Sequence, residues 1–350
     1  MPLTAVDSIS LAFEHTKQQL FRPFRFGQWT RLAVVGLFAG EMGSGSGCHL
    51  NIPTNAPHQR DYLSGFSLFP SVDPALLLPL IVVAVIAVSI FWLLFLYISS
   101  HMRFVLFDSV IAKKCSIRGM WHARRAPSFE YFVWQIVFSL VTLGAIAVIL
   151  GVPALIAFTL GWFTEPREHV PGLILASALV FFAFFFAMVL AVCVYVFTKD
   201  FVVPQMALEG VSAFEGWRRL LPMLEAEKSK YAGYAGMKVV MAIGAGVAIG
   251  IAGLIVLVVL VIPIGGLGLI SVLAGQAAGQ TWNVLTITLA IVALCVFLLV
   301  LFYLISLIAV PAIVFFPAYS IYFFAARYRP LANHIYPPVP PIGLRPQPIG

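Results

Sequence analysis

Residues 200–227, DFVVPQMALEGVSAFEGWRRLLPMLEAE, lie between two long apolar runs and decide how the chain is read. Ala207, Val211, Phe214, Trp217, Leu221 and Leu224 fall at helical spacing, with Arg218 and Arg219 beside the stripe. An amphipathic helix directly after a run of span length suits the headgroup region of a bilayer, where arginines meet anionic lipid. Burial of the stripe against a neighbouring helix fits the same pattern. Pro222 is expected to end the helix, leaving Glu225, Glu227, Lys228 and Lys230 solvated. An earlier stretch, 103–119, RFVLFDSVIAKKCSIRG, echoes this one: Phe104-Val105 answers Phe201-Val202, and Gly119 answers Gly216. Each copy reads as apolar span, basic surface helix, apolar span, which makes a parallel two-helix repeat.

Composition places the whole chain in a bilayer. Of 350 residues, 61% are hydrophobic and 10% charged, and the mean hydropathy is +1.00, too little polar surface to cover a water-soluble globule. A helical span needs about 20 apolar residues to cross roughly 30 Å of hydrocarbon. The expectation is an all-α polytopic membrane bundle of about six spans, near 28–47, 75–99, 131–160, 172–198, 237–262 and 284–309. Residues 1–27 form a cytoplasmic segment whose helix over 7–21 starts at Asp7 or Ser8 and stops at Pro23. It either lies in the interface or packs as an ordinary helix on protein. A Pro-rich tail, 329–350, has the composition of an extended segment able to dock.

Individual spans carry their own signals. The stretch 28–47 is apolar for about ten residues before Glu41 and a Gly/Ser run. An acid at membrane depth is costly unless paired, so Glu41 is either a site or the point where the helix surfaces into water. Ala242, Gly246 and Gly250 lie one turn apart in a small-xxx-small pattern that suits close helix packing, within the fold or between protomers. Pro263, Gly265, Gly266 and Gly268 are expected to break the next stretch, as a broken or re-entrant turn.

Charge orients the bundle. Of 21 Lys and Arg, only Arg60 and Arg167 fall on the predicted outer side. The positive-inside rule therefore puts both termini in the cytoplasm, with the loops holding Arg124, Arg125, Arg218 and Arg219. Arg124, Arg125, Trp217, Arg218 and Arg219 are the expected contacts to anionic membrane lipid or to a membrane protein partner. Trp29, Trp134, Trp162 and Trp282 lie near span ends, as an aromatic belt would. The net charge of +7 is a topology signal and not a nucleic-acid footprint, since no soluble basic face accompanies it.

Reactive chemistry is sparse. The four cysteines show neither CxxC nor zinc-knuckle spacing, and no nucleotide fingerprint or Ser/His/Asp arrangement is present. The apolar interiors of the spans carry no titratable ligands, and His49, His58, Glu41 and Asp61 match no metal spacing. Lys199 and Asp200 read as an anchor and a helix cap. The expected catalytic, cofactor and metal sets are empty.

The run FRPFRFGQWTRLAVVGLFAG with its Gly/Ser tail, and DFVVPQMALEG…WRRLLP, resemble an uncharacterised group of bacterial and archaeal multi-span proteins. That group is described as similar to the membrane domain of glycerophosphodiester phosphodiesterases. The resemblance implies the topology and a cytoplasmic-membrane location. The soluble phosphodiesterase barrel is missing, and no catalytic residues carry over. Together these readings predict a non-enzymatic accessory, scaffold or assembly subunit, with a transporter or lipid-handling protein as the alternative.

Overall fold

A computed structural model describes residues 4–41, 74–162, 169–277 and 284–336. Its helices are α1 (Asp7–Phe21), α2 (Phe26–Phe38), α3 (Pro74–Ile111), α4 (Ile117–Ala123), α5 (Arg125–Thr159), α6 (Val170–Phe197), α7 (Val203–Glu209), α8 (Ala213–Ala226), α9 (Lys228–Ala277), α10 (Val284–Ala325) and α11 (Arg329–Ile335). One π turn, Thr198–Val202, joins α6 to α7. No strand occurs among the described residues, so the all-helical class holds.

Two zones differ in how their apolar surface is covered. Five stretches, Leu78–Ile111, Arg125–Thr159, Val170–Glu209, Lys228–Gly266 and Ile287–Ala325, are long and apolar enough to cross a membrane. At about 1.5 Å per residue each exceeds the roughly 30 Å of hydrocarbon, so part of every helix projects beyond it. Along the apolar parts almost nothing is buried by the chain itself: on α3, Leu78 to Phe95 are exposed, and burial begins at Ser99. The projecting parts form a base with a single core. It gathers Leu32 of α2, Phe104 and Val105 of α3, Tyr131 of α5, Phe201 of the π turn, Met206 of α7, Leu220 of α8, Tyr231 and Tyr234 of α9, and Phe323 and Phe324 of α10.

The amino-terminal helices belong to this base. Thr4 and Asp7 close the start of α1 together: the Thr4 hydroxyl and N–H donate to the Asp7 carboxylate at 2.7 and 3.1 Å. Arg22 then turns extended before Pro23 and ends the helix, as a pre-proline residue does. The helix packs along α10 and buries Ala12, His15, Thr16, Gln19 and Leu20, while Phe13 and Phe21 stay exposed. His15 is fixed at both ring nitrogens, Nδ1 3.0 Å from the Tyr322 hydroxyl and Nε2 2.9 Å from the Val110 carbonyl. Next, α2 crosses α10 at Gly36, where a Cβ would lie 2.6 Å from Ile313 Cδ1.

Several expectations require correction. Of the expected 28–47 span, the described part is α2, whose 13 residues rise about 20 Å and cannot cross the hydrocarbon; residues 42–47 lie outside the described residues. The helix of the expected 75–99 span does not stop there but runs on to Ile111 and carries Arg103. Pro222 sits inside α8, and α9 passes through Pro263, Gly265, Gly266 and Gly268 without a break. A helix can absorb a proline when tertiary packing or a membrane environment outweighs the lost hydrogen bond. Trp134 is buried between Tyr131 and Phe138 in a three-ring stack, not displayed at a surface. Helix α11 occupies the start of the expected tail, and 337–350 lie outside the described residues, as do Trp282, His49, His58 and Asp61.

The element order supports the repeat. Helices α3, α4 and α5 are followed in the same order by α6, α7–α8 and α9, and Phe104-Val105 and Phe201-Val202 all reach the core, but Gly119 is exposed where Gly216 is buried. Gly216 is needed there, since a Cβ would lie 2.6 Å from Val202 Cγ1.

Two outcomes follow from this packing. Gly36→Ala is expected to destabilise the protein by about 1–3 kcal/mol, the usual cost of overpacking, and Ile313→Ala in the same chain should recover part of the loss in detergent unfolding. Burial first, and then the Lys113 cation, push the His15 pKa below 6.5. The unfolded state therefore takes up a proton as pH falls through 6.5 while the folded state stays neutral. The His15 contribution to stability is complete above 6.5 and declines below it, and His15→Gln should make the slope of unfolding curves measured between pH 7 and 5 shallower.

Candidate functional site

The most concentrated polar chemistry sits where α2, α3, the π turn, α9 and α10 meet. Gly40, with φ +73°, turns the chain at the end of α2 and brings Glu41 into the base. Arg103 Nη1 donates to Glu41 Oε1 at 2.6 Å, and Lys199 Nζ donates to Glu41 Oε2. The other terminal nitrogen of Arg103 donates to the Ala39 carbonyl, and to the Tyr195 hydroxyl at 3.2 Å. All three charged side chains are at most 5% exposed.

A second pair adjoins the first. Asp200 accepts from the Tyr234 hydroxyl at 2.9 Å and from Lys238 Nζ, and these two carboxylates and three cations form one buried cluster. A cavity of about 20 Å³ lies among Glu41, Arg103, Lys199, Asp200, Pro317 and Ser320. That is room for a single water. Arg103 Nε has no partner among the described residues.

The π turn explains how Lys199 and Asp200 both reach this cluster. Its wider spacing carries Thr198 to Val202 into the base with every side chain buried. Phe201 anchors the turn among rings, 5.3 Å from Tyr231, 5.1 Å from Tyr234 and 5.2 Å from Phe324 between centroids. Trp217 Nε1 donates to Thr198 Oγ1 at 2.9 Å, tying α8 to the same point. Single π turns inside long helices recur at functional positions.

The sequence-predicted contacts are distributed differently from that cluster. Arg124 holds Asp108 at 2.8 and 3.0 Å and also donates to the Ala207 carbonyl. Arg218 and Arg219 pair with Glu215, and Arg219 also with Glu209. Arg125 is exposed. The predicted stripe of 207–224 is not one face, because Gly210 at φ +67° separates α7 from α8. Ala213, Gly216 and Leu220 are buried, whereas Phe214 and Leu221 point outward. In α9, Ala242 and Gly246 are half-buried, but a Cβ on Gly250 would meet nothing within 4 Å. Close packing within the chain at Gly250 is therefore not found, whereas a Cβ on Gly253 would lie 3.9 Å from Ile305 of α10.

Glu41 was singled out from sequence, while its partners were not. Arg103 falls beyond the expected 75–99 span, and Lys199 and Asp200 read as an anchor and a helix cap. One signal was available: in the repeat offset that matches Phe104 to Phe201, Arg103 answers Asp200. Opposite charges at equivalent positions of two copies suggest a shared cluster. Among the described residues, no three His, Cys, Asp or Glu side chains converge as a metal set.

Glu41→Gln is expected to cost about 3–5 kcal/mol, the loss seen when one partner of a buried ion pair is removed. Combining it with Lys199→Met should restore part of that stability, read by thermal unfolding in detergent.

Residues 3–333 match the model of a family described as "Family of unknown function (DUF7544)", which covers nearly the whole chain. No curated protein and no solved structure matches it.

Proposed function

We propose that this chain, which belongs to that family of unknown function, is a non-catalytic integral membrane protein serving as an accessory, scaffold or assembly subunit. The supporting observation is the contrast between its zones. The charged cluster is closed, each of its five charges answering another, around a cavity of about 20 Å³. The spans are open, with Phe181, Phe182, Phe185 and Phe186 of α6 58–70% exposed. Apolar faces of that extent are covered by lipid or by the helices of another protein.

We place the base in the cytoplasm, both termini inside, in the cytoplasmic membrane. Arg22, Arg25, Lys113, Lys114, Arg118, Arg124, Arg125, Arg218, Arg219, Arg327 and Arg329 all belong to the base or its edge, as the positive-inside rule asks. The proposed partners are anionic membrane lipid and a membrane protein. The likeness to the glycerophosphodiester phosphodiesterase membrane domain belongs to this proposal, as a likeness of topology alone.

The alternative, a lipid-handling protein or transporter, is favoured by one feature. An apolar groove of about 400 Å³ lies between α3 and α5, lined by Trp92, Phe138, Leu140, Leu143 and Ile146. It suits an acyl chain.

Purification of the native protein in mild detergent separates the two. The scaffold reading expects a membrane protein at fixed stoichiometry, lost in Phe182→Ala/Phe186→Ala without a change in melting temperature. It is overturned if the chain purifies alone and vesicles containing it carry a solute that protein-free vesicles do not.

A further inference from the structure

The cations of the base fall into two classes. Arg103, Arg124, Lys199, Arg218, Arg219, Lys230, Lys238 and Arg327 each have a carboxylate within ion-pair distance. Lys17, Arg22, Arg25, Arg31, Lys113, Lys114, Arg118, Arg125, Lys228 and Arg329 have none among the described residues; of these, Arg22, Arg25, Lys113 and Lys114 are exposed and lie together. These four line a single recess of about 340 Å³ between the end of α1, the start of α2 and the turn after α3. The remaining walls are Gln18, Gln19, Pro23 and Gln28, with no acid. Glu14, one turn away, accepts from Gln18 instead.

The recess is held in shape. Lys113 adopts φ +53°, a left-handed conformation costly for a residue with a Cβ. Gln28 fixes it by donating to its carbonyl at 3.1 Å, and Lys113 Nζ donates to Gln18 at 2.8 Å. Four like charges drawn together repel one another, and an anion seated among them would relieve that repulsion.

Position identifies the source of that anion. Beside the recess, Phe21 and Phe24 pack on Trp29 at 5.6 and 5.5 Å between centroids, yet Phe21, Phe24 and Phe26 remain 54–59% exposed. Trp29 Nε1 donates to the Leu307 carbonyl at 2.9 Å, just past the exposed apolar length of α10. Rings with an apolar body and a polar edge at the end of a span mark the lipid–water boundary. A phosphate bound at the recess would thus have acyl chains within reach of the exposed phenylalanines.

We propose that this recess binds the phosphate headgroup of an anionic phospholipid, with Arg22, Arg25, Lys113 and Lys114 as its cations. The site differs from the arginines of α8, which are already neutralised by Glu209 and Glu215. It deepens the membrane reading and does not depend on the scaffold role.

The test uses the full chain in nanodiscs of phosphatidylcholine with a minor share of phosphatidylglycerol, with bound lipid counted by native mass spectrometry. Wild type should retain phosphatidylglycerol selectively. Arg22→Gln/Arg25→Gln should lower that retention by on the order of tenfold or more, and Arg218→Gln/Arg219→Gln by less than twofold. Lys113→Gly removes a cation and relieves the strained backbone, so it should lose lipid while melting no lower than wild type; this variant decides the matter if the double variant folds poorly. Equal retention by wild type and Lys113→Gly overturns the proposal. So does displacement of the lipid by millimolar inorganic phosphate, which would make the recess a site for free phosphate. Partner recovery, read in the same samples, fails or survives independently of lipid retention.

Discussion

The Glu41 carboxylate, shared between Arg103 and Lys199, is the interaction on which the base depends. Its two oxygens reach segments 62 and 158 residues away in sequence, so one side chain sets the meeting of α2, α3 and the π turn. A buried cation without a partner is far more costly than a surface one, because the interior cannot replace its water. The cluster is thus less a source of net stability than a condition on geometry: any packing of the base that separates these helices strands a charge. Tyr195, Tyr234 and Lys238 extend that condition to α6 and α9.

A condition of this kind matters because the spans supply little of their own. In lipid, apolar side chains have no hydrophobic reason to prefer one another over acyl chains. The five long helices accordingly show bare flanks, while Phe201, Tyr231, Tyr234, Phe323 and Phe324 pack ring on ring just below. The base behaves as a water-soluble core would, driven by removal of apolar area from water. Specificity of fold is concentrated there, and the spans remain free to meet lipid or another protein.

How much of this could be read from the residues depends on the range of the interaction. The all-helical class and the five long spans follow from runs of apolar residues, a local signal. The extended end of α3 is not legible in the same way, because Arg103, just before FVLFDSVI, reads only as a cation on one side of the membrane when charge is used to count sides. Pro222 and Pro263 misled for the opposite reason: a strong local rule was overridden by packing and by surrounding apolar environment. Glu41 was visible as an acid needing a partner, but the partner's identity is a long-range fact. The repeat, which sets Arg103 opposite Asp200, hints only that opposite charges share one cluster, and it lies in a charge reversal that a search for identities passes over.

The same cluster bears on the choice between holding and moving. A transporter needs a site whose charges can change partners at modest cost as access alternates. Here Glu41 engages two cations at once, Arg103 is held further by Ala39 and Tyr195, and Asp200 is held by Tyr234 and Lys238. Releasing Glu41 from either cation leaves a buried charge unpaired, at about 3–5 kcal/mol, against a cavity with room for one water to compensate. A cation passing through would also meet three resident positive charges and two negative ones. Rearrangement on a transport cycle is therefore opposed by the very contacts that define the base, and a fixed platform with uncovered helices is the state these contacts favour.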